Sequence, residues 1–408
     1  MKCGLLGRKL GHSYSPQIHA CLGDYPYVLF EKEPEELEDF LKNGDFTGIN
    51  VTIPYKKDVI PYLDEISPVA RKMGAVNTIV RRPDGTLFGH NTDYFGFASM
   101  VKRSGLAVTG KKALVLGSGG ASNTVVAVLT KLGANVVIIS RSGENNYANL
   151  HLHADAAVIV NTTPVGMYPN TGVSPVDLGL FPKLEGVLDV VYNPARTQIL
   201  LDAEKHGLPH ENGLWMLVAQ AKEAAEYFTG SKIKDTEIER IYQKLSAQMQ
   251  NIVLIGMPGC GKSTVGALLA EKTGRKLADA DEEIIRLAGK SIPDIFAQDG
   301  EEVFRAWETK ALENLGKQSG LIIATGGGCV TRARNYPLLQ QNGRIFWLRR
   351  SLDVLPTDGR PLSQSNKLAD LYAVRKPLYE AFADCAIDND EKIEDTVDTI
   401  IAQLEGTV

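Results

Sequence analysis

The chain of 408 residues has few cysteines and no long apolar run. Its five cysteines are scattered and odd in number, without Cys-x-x-Cys spacing, which argues against a disulfide framework or a zinc knuckle and favours a reducing compartment. Nowhere do the roughly 18 apolar residues of a membrane-spanning helix follow one another, and the first residues lack the apolar core of a signal peptide. We therefore expect a soluble, cytoplasmic protein with no membrane partner.

The sequence also lacks a strong charge of either sign. Its 44 basic and 49 acidic residues give a net charge of −5, which offers no general attraction to nucleic acid or anionic lipid. The composition, 44% hydrophobic and 23% charged, is typical of globular proteins, and the length predicts two or three domains. We expect small-molecule substrates as partners; the sequence leaves both a monomer and a homo-oligomer open.

One glycine-rich stretch, Gly256–Ser263, has the spacing of a Walker A loop. The apolar run Ile252–Ile255 precedes it and a helical pattern follows, so the stretch predicts backbone N–H groups that wrap a triphosphate at a helix N-terminus. Lys262 would contact the β- and γ-phosphates of ATP and Ser263 would ligate Mg²⁺, whereas an ordinary glycine-rich turn is the alternative. The predicted ATP-binding residues are Gly259, Cys260, Gly261, Lys262, Ser263 and Thr264.

The N-terminal region places polar side chains where strands and helices end, the usual location of functional groups. Ser13 and Ser15 precede a proline at a predicted helix start, where they either bind an anion or cap the helix. A predicted strand ends at a proline just before Lys56. Two further strand ends or turns place Asn77 and Asp93 at a common edge with Lys56.

Four ordered motifs in this region resemble those of shikimate dehydrogenases, at residues 12–16, 50–56, 74–78 and 91–96. The resemblance implies that Lys56 and Asp93 are the catalytic couple. An ammonium suits this chemistry because a ketone that receives a hydride becomes an alkoxide that needs stabilisation or a proton. A solvated surface lysine and a structural turn aspartate are the alternatives. The implied substrate-binding residues are Ser13 and Ser15 for the carboxylate, and Thr52, Asn77 and Asp93 for hydroxyl and carbonyl groups.

A second glycine turn, Gly117–Ser122, follows a predicted strand and opens a predicted helix. With the strand Val136–Ile139 it completes a βαβ unit, which binds the pyrophosphate of a dinucleotide at the helix N-terminus. The tip of that strand carries Arg141 between two serines, where an NAD enzyme would carry an acid, so it favours the 2′-phosphate of NADP(H). An ordinary exposed arginine is the alternative. The predicted cofactor residues are Gly117, Gly119, Gly120, Ala121, Ser140 and Arg141.

The resemblance to shikimate dehydrogenases covers residues 3–245. In this family a long helix returns to the first domain, which would bring Gln220 to the substrate. Further cofactor contacts are implied for Thr162, Met167, Val190, Tyr192 and Gly213.

One departure concerns the dinucleotide domain. The family has a helix and a strand between Ser142 and Asn161, whereas this chain has 18 residues there, enough for a connection and one strand. We expect the adenosine side of the cofactor pocket to be trimmed. His151 and His153 alternate in this span, but without a third ligand nearby we interpret them as a solvated face rather than a metal pair.

The stretch after the Walker A helix carries two carboxylates, Asp279 and Asp281. Their period-two spacing places both on one side of an extended strand end, one for Mg²⁺ and one for the nucleophile. Arg305 and Glu308 share a helix face, for which an exposed surface pair is the alternative. The apolar strand Leu321–Ala324 lacks a Walker B acid and ends in three glycines, where a ligand contacts bare backbone.

These features resemble shikimate kinases over residues 251–404, together with two further segments, 359–362 and 375–379. The resemblance implies that Asp281 activates the acceptor hydroxyl and that Asp279 lies in the Mg²⁺ shell. Arg360 would be the lid arginine that approaches the transferring phosphoryl group. The residues implied to bind the substrate carboxylate or shape the acceptor pocket are Arg305, Arg375, Gly326, Gly327 and Gly328.

We predict an α/β protein of three parts: a shikimate-binding domain (1–99 with 212–248), a trimmed NADP-binding Rossmann domain (100–211) and a P-loop kinase domain with a parallel sheet (251–408). The predicted function is NADPH-dependent reduction of 3-dehydroshikimate to shikimate and MgATP-dependent phosphorylation of shikimate. The alternative is a kinase whose N-terminal half only binds shikimate or acts as a scaffold. Quinate as the alcohol, or another small acid as phosphate acceptor, also stays open.

Overall fold

The computed structural model describes residues 1–11, 13–355 and 365–406. The chain divides into two compact units. The first consists of Met1–Val165, Ser174–Tyr192 and Asp202–Lys244, and the second of Gly166–Val173, Asn193–Leu201 and Leu245–Val408. Among the helices of the described residues, none combines the length and the apolar character that crossing a bilayer demands.

The first unit begins with a six-stranded sheet. Its strands are β1 (Cys3–Gly7), β2 (Tyr27–Glu31), β3 (Gly48–Val51), β4 (Glu65–Ile66), β5 (Thr78–Arg81) and β6 (Leu87–His90). The helices around it are α1 (Ser15–Leu22), α2 (Leu37–Asn43), α3 (Pro68–Met73) and α4 (Asp93–Ser104). The strand order is β2-β1-β3-β5-β6-β4. Every residue of β1 and β3 is buried, including the polar Asn50 of β3.

The direction of these strands collects the polar residues at one edge. Strand β1 is parallel to β3, and β5 is antiparallel to both β3 and β6. The carboxyl ends of β1, β3 and β6 therefore lie on the same side as the start of β5. Ser13, Thr52, Asn77 and Asp93 follow or precede these strand ends, so the topology brings them together.

The second sheet of this unit has five parallel strands: β7 (Lys112–Leu116), β8 (Asn135–Ile139), β9 (Val158–Asn161), β10 (Gly186–Asp189) and β11 (His210–Glu211). The helices that follow are α5 (Gly120–Lys131), α6 (Gln198–Lys205), α7 (Leu214–Thr229) and α8 (Thr236–Met249). The strand order is β11-β10-β9-β7-β8. Helix α7 packs on α1 and α4 of the first sheet, as predicted, and Trp215 donates a hydrogen bond to Ser99 Oγ at 2.8 Å.

The predicted shortening of the dinucleotide domain is confirmed. Between β8 and β9 the chain forms one short 3-10 turn, Leu150–His153, so β8 is left at the sheet edge. The interpretation of the two histidines is half right. His151 is exposed, but His153 is buried and its Nε2 lies 3.0 Å from Asn145 Oδ1, because the 3-10 turn directs it into the loop.

The second unit contains a five-stranded parallel sheet with the order β13-β14-β12-β15-β16. Its strands are β12 (Asn251–Ile255), β13 (Leu277–Asp279), β14 (Ile322–Ala324), β15 (Gly343–Arg349) and β16 (Cys385–Asp388). Its helices are α9 (Lys262–Thr273), α10 (Ala280–Ala288), α11 (Ile292–Gln298), α12 (Gly300–Gly316), α13 (Asn335–Gln340), α14 (Ser365–Phe382) and α15 (Ile393–Glu405). Strands β12 and β14 are fully buried, and they form the centre of its hydrophobic core.

The prediction of one extended strand end for Asp279 and Asp281 is wrong. Strand β13 ends at Asp279, and Asp281 lies in the first turn of α10. The reason is a helix cap: the Asp279 side chain accepts a hydrogen bond from the Asp281 N–H at 2.8 Å, which satisfies a donor that a helix start leaves open.

Candidate active sites

The first cleft lies at the polar edge of the six-stranded sheet and has a volume of about 310 Å³. It brings together residues that are up to about two hundred positions apart in the sequence. From the predicted substrate and catalytic residues it is lined by Ser13, Ser15, Thr52, Lys56, Asn77, Asp93 and Gln220. From the predicted cofactor residues it is lined by Ala121, Val190, Tyr192 and Gly213.

Lys56 and Asp93 form a direct ion pair in this cleft. Lys56 Nζ donates to Asp93 Oδ2 at 2.6 Å, and their side chains are 29% and 16% exposed. Asp93 is the first residue of α4, where the helix dipole stabilises a carboxylate. The pair therefore presents a held ammonium to the cleft, which can donate a hydrogen bond to a substrate oxygen.

A buried hydrogen-bond network fixes the part of the cleft next to this pair. The Thr92 N–H donates to Asn77 Oδ1 at 2.7 Å, and Thr92 Oγ1 donates to Gln220 Oε1 at 3.3 Å. Both serines line the cleft, and Ser13 Oγ accepts a hydrogen bond from the Ser15 N–H at 3.2 Å. The N-cap position of α1 is held by Tyr14 rather than by either serine.

Several lining residues were not predicted from the sequence, among them Asn50 and Met216. Asn50 is buried, accepts a hydrogen bond from the Tyr27 hydroxyl at 2.8 Å and points to the same cleft as Thr52. Its position two residues before Thr52, at the start of the same motif, was the available signal. Met216, one turn before Gln220 on α7, carried no such signal.

The second cleft, which we call the dinucleotide cleft, has a volume of about 580 Å³. Of the predicted cofactor residues it is lined by Gly117, Gly119, Ser140, Arg141 and Thr162. Gly120 is the first residue of α5, and Met167 is 43% exposed and belongs to the second unit. Sequence reasoning missed Tyr147, which lines this cleft from the shortened connection.

The glycine turn leaves its backbone accessible. A Cβ at Gly119 or Gly120 would meet nothing within 4 Å, so the N–H groups at the start of α5 are open to a ligand. Gly117 has a positive φ of 107°, and a Cβ there would meet Thr162 Oγ1 at 2.9 Å. The turn therefore fits an anion at the N-terminus of a 12-residue helix.

The third cleft lies in the second unit and has a volume of about 470 Å³. The predicted residues that line it are Gly259, Gly261, Lys262, Ser263, Thr264, Asp279, Asp281, Arg305, Gly326, Gly327, Gly328 and Arg375. Cys260 is fully buried, so its side chain belongs to the core while its carbonyl accepts a hydrogen bond from Asn389. Arg360 lies outside the described residues.

The Walker A loop wraps around the Lys262 ammonium. Lys262 Nζ donates to the carbonyls of Gly256 and Met257, both at 2.9 Å. Next to it, Ser263 Oγ donates to Asp279 Oδ2 at 3.1 Å. A hydroxyl and a carboxylate in contact supply the hard oxygen ligands that Mg²⁺ prefers.

Arg305 and Glu308 are a buried pair rather than an exposed one. Their side chains are 9% and 1% exposed, and Arg305 Nη1 donates to Glu308 Oε2 at 2.9 Å. Burial raises the pKa of Glu308, and the charge of Arg305 opposes that rise. Arg375 on α14 is also buried and lines the same cleft, so two guanidinium groups face a ligand there.

The apolar wall of this cleft was not predicted. It consists of Ile292, Phe296 and Phe304, from α11 and α12. Cys329 lies nearby in the core, where burial raises the pKa of its thiol to about 12.

Comparison with known proteins identifies both halves. Residues 5–79 match the model of the shikimate dehydrogenase substrate binding domain. A shikimate dehydrogenase (NADP(+)) of Clostridium perfringens strain SM101 is 38% identical over 267 residues, which covers 60% of this chain and 98% of that protein. The chain belongs to the shikimate dehydrogenase family. Residues 258–405 match the shikimate kinase model, so this family member also carries a shikimate kinase domain.

Solved structures agree with this assignment. Shikimate dehydrogenase 1 of Peptoclostridium difficile is 38% identical with a TM-score of 0.55, and the match covers 60% of this chain and 98% of that one. The Thermus thermophilus enzyme, solved with NADP(H) and shikimate, is 31% identical with a TM-score of 0.54 over 60% of this chain and 99% of that one. This polypeptide therefore combines two enzymes of the shikimate pathway, and the recognition of both from sequence motifs is confirmed.

Proposed function

We propose that this chain reduces 3-dehydroshikimate to shikimate with NADPH in its first unit, and phosphorylates shikimate to shikimate 3-phosphate with MgATP in its second. The observation that carries the proposal is the Lys56–Asp93 pair at 2.6 Å, inside a cleft that also holds a set of hydroxyl and amide groups suited to a polyhydroxylated acid. The second unit has the phosphate loop, acidic pair and buried arginines of its own site.

In the reduction, the Lys56 ammonium is the proton donor. The ketone oxygen gains negative charge as hydride reaches its carbon, and Lys56 donates the Nζ proton to that oxygen and recovers a proton from solvent. Asp93 holds the lysine in position through the contact at 2.6 Å. Ser13 and Ser15 bind the carboxylate of the substrate, while Thr52, Asn77 and Gln220 bind its hydroxyl groups.

The cofactor groups of this half fit a phosphorylated dinucleotide. The open N–H groups at Gly119 and Gly120 can donate hydrogen bonds to a pyrophosphate, and the exposed Arg141 beside Ser140 suits a 2′-phosphate. A bound nicotinamide supplies the hydride. The Clostridium perfringens relative is a shikimate dehydrogenase (NADP(+)), which agrees with the choice of NADP(H) over NAD(H).

In the phosphoryl transfer, Asp281 accepts the proton of the attacking hydroxyl and Lys262 stabilises charge on the transferred group. Arg305 and Arg375 bind the substrate carboxylate, and the ion pair with Glu308 holds the Arg305 side chain in position. Ser263 and Asp279 would hold Mg²⁺, directly or through water, since their oxygens are already in contact. The hydroxyl formed in the reduction is then the one phosphorylated.

A non-catalytic N-terminal half is the competing function. A binding or scaffolding module needs neither a charged lysine held by a carboxylate nor an open dinucleotide cleft. The ion pair and the accessible glycine turn therefore favour catalysis over the scaffold.

The test is a coupled assay on the purified full-length protein. Addition of 3-dehydroshikimate and NADPH should give loss of NADPH absorbance, and subsequent MgATP should yield shikimate 3-phosphate. When excess labelled shikimate is added, the label should appear in the shikimate 3-phosphate, because each reaction has its own site and shikimate can diffuse between them. If the protein showed kinase activity without any NADPH oxidation, only the phosphotransferase part of the proposal would remain.

A further inference from the structure

The shortened connection after β8 forms a compact loop of its own. The Ser140 N–H donates to Asn145 O at 3.1 Å, and Asn146 Nδ2 donates to Gly143 O at 3.2 Å. Asn149 closes the loop from both sides, because its Oδ1 accepts from the Asn146 N–H at 2.8 Å and its Nδ2 donates to Glu144 O at 2.9 Å. This asparagine network holds residues 140–149 without help from a helix.

The loop carries one side chain into the dinucleotide cleft that no motif pointed to. Tyr147 is half-buried and lines the cleft together with Ser140 and Arg141. Among the described residues that line this cleft, Tyr147 provides the single aromatic ring; further apolar surface comes from Pro164, Val165 and Pro175.

In a βαβ unit, the ribose of the adenosine half lies at the tip of the second strand, and the adenine extends beyond it. Here that tip is Ser140 and Arg141, so the adenine falls where the loop presents Tyr147. Bases gain affinity from stacking on aromatic side chains because every base has a π-face. Burial raises the pKa of Tyr147 while the charge of Arg141 opposes this, so the ring stays neutral beside a phosphate.

We infer that Tyr147 forms the adenine platform of the dinucleotide cleft and replaces surface that the missing helix and strand would otherwise supply. The inference rests on the proposed use of NADP(H) by the first unit. It divides recognition between two neighbours: Tyr147 binds the adenine that NADPH and NADH share, and Arg141 binds the 2′-phosphate that NADPH alone has.

The experiment measures dissociation constants for NADPH and NADH by calorimetry, without turnover, on the full-length protein. Tyr147→Ala should weaken both cofactors about tenfold. Tyr147→Phe keeps the ring and should bind both as the wild type does. Arg141→Ala should weaken NADPH and leave NADH unchanged. The matched control for folding is the kinase rate and the thermal unfolding profile of each variant.

Three results would overturn the inference. Unchanged affinity of Tyr147→Ala for both cofactors would show that Tyr147 has no role in binding. Equal losses of affinity in Tyr147→Phe and Tyr147→Ala would assign the effect to the hydroxyl. A loss in Tyr147→Ala that is restricted to NADPH would make Tyr147 a phosphate contact. If Tyr147→Ala misfolds the loop, Tyr147→Leu, which fills the space without a π-face, should still bind both cofactors more weakly than Tyr147→Phe. Wild-type protein that binds neither cofactor would instead refute the proposed function itself.

Discussion

The two glycine loops of this chain solve the same problem differently. Around Gly119 a Cβ would meet nothing within 4 Å and φ is −83°, whereas Gly261 has a φ of 95° and a Cβ there would meet Asn389 Nδ2 at 2.8 Å. At Gly119 the first turn is open and its backbone is unstrained, whereas Gly117 at the start of that turn has a positive φ of 107°. The second is enclosed, and glycine is required there by both backbone conformation and space.

The charge that complements the phosphates also comes from different places. The Walker A loop has its own Lys262, held by two loop carbonyls, while the dinucleotide turn has none and relies on Arg141 of the next strand. A phosphate that reacts needs charge at the reacting atoms, whereas one that only anchors a cofactor can be met by neutral N–H groups and a distant cation. The difference therefore separates a site for transfer from a site for recognition.

The largest effect should come from removing the two lysines. We expect Lys56→Ala to lower the reduction rate by about 10³-fold and Lys262→Ala to lower the kinase rate by about 10³-fold, because each supplies the positive charge at its own reacting oxygen. Each variant should keep the other activity, measured in the same preparation. A folded protein that loses both activities through either change would contradict separate sites.

The next effect distinguishes the two loops directly. Gly261→Ala must adopt a left-handed conformation and displace Asn389, so we expect a loss of about 1–3 kcal/mol in local stability. Gly119→Ala should change stability by less than about 0.5 kcal/mol. Amide hydrogen exchange of peptides covering β12 and β7 measures both. If the two substitutions changed the amide exchange of their own peptides equally, the enclosure of the Walker A loop would not contribute to its local stability.

A smaller effect should follow from Arg141. We expect Arg141→Ala to raise the KM for NADPH about tenfold, because one charge-assisted contact to the 2′-phosphate is lost. The KM for 3-dehydroshikimate and the kinase rate should stay constant. Steady-state kinetics with NADPH and NADH measures the change in preference, and an equal rise for both cofactors would argue against a 2′-phosphate contact.

The last effect concerns acid stability, in which the units also differ. All seven histidines belong to the first unit, and burial lowers the pKa of His19 to about 3. Below about pH 6.5 the unfolded chain binds a proton that folded His19 does not, so the free energy of unfolding decreases by about 1.4 kcal/mol per pH unit as the pH falls.

The measurement is the urea midpoint for loss of dehydrogenase activity at pH 7 and pH 5. His19→Gln should flatten this dependence, and the kinase midpoint should be unaffected by the substitution. A wild-type and a variant that respond identically to pH would assign the acid sensitivity of the first unit to other groups.

Much of the site could be predicted because phosphate loops and catalytic couples depend on short local spacing. The strand, turn and helix around Gly256–Ser263 follow from local preferences. The short length of the loop after β8 could also be read from the local sequence. Tyr147 and the apolar wall of Ile292, Phe296 and Phe304 could not be predicted, since an aromatic or aliphatic side chain in an unpatterned stretch carries no local signal. The capping of α10 by Asp279 was missed because cap and strand end compete for the same residue.

The sequence by itself determined the parts whose physics is local: two glycine loops before helices, apolar strands buried on both faces, and the cations and carboxylates at their ends. Only the tertiary structure decided which distant groups meet, because Lys56 and Asp93 approach to 2.6 Å through the pairing of β3, β5 and β6, and not through anything in either segment alone. The tertiary structure also decided that the Arg305–Glu308 pair is buried. Helix spacing determines that the two side chains are neighbours, but only the packing of other elements on the helix determines whether solvent reaches them.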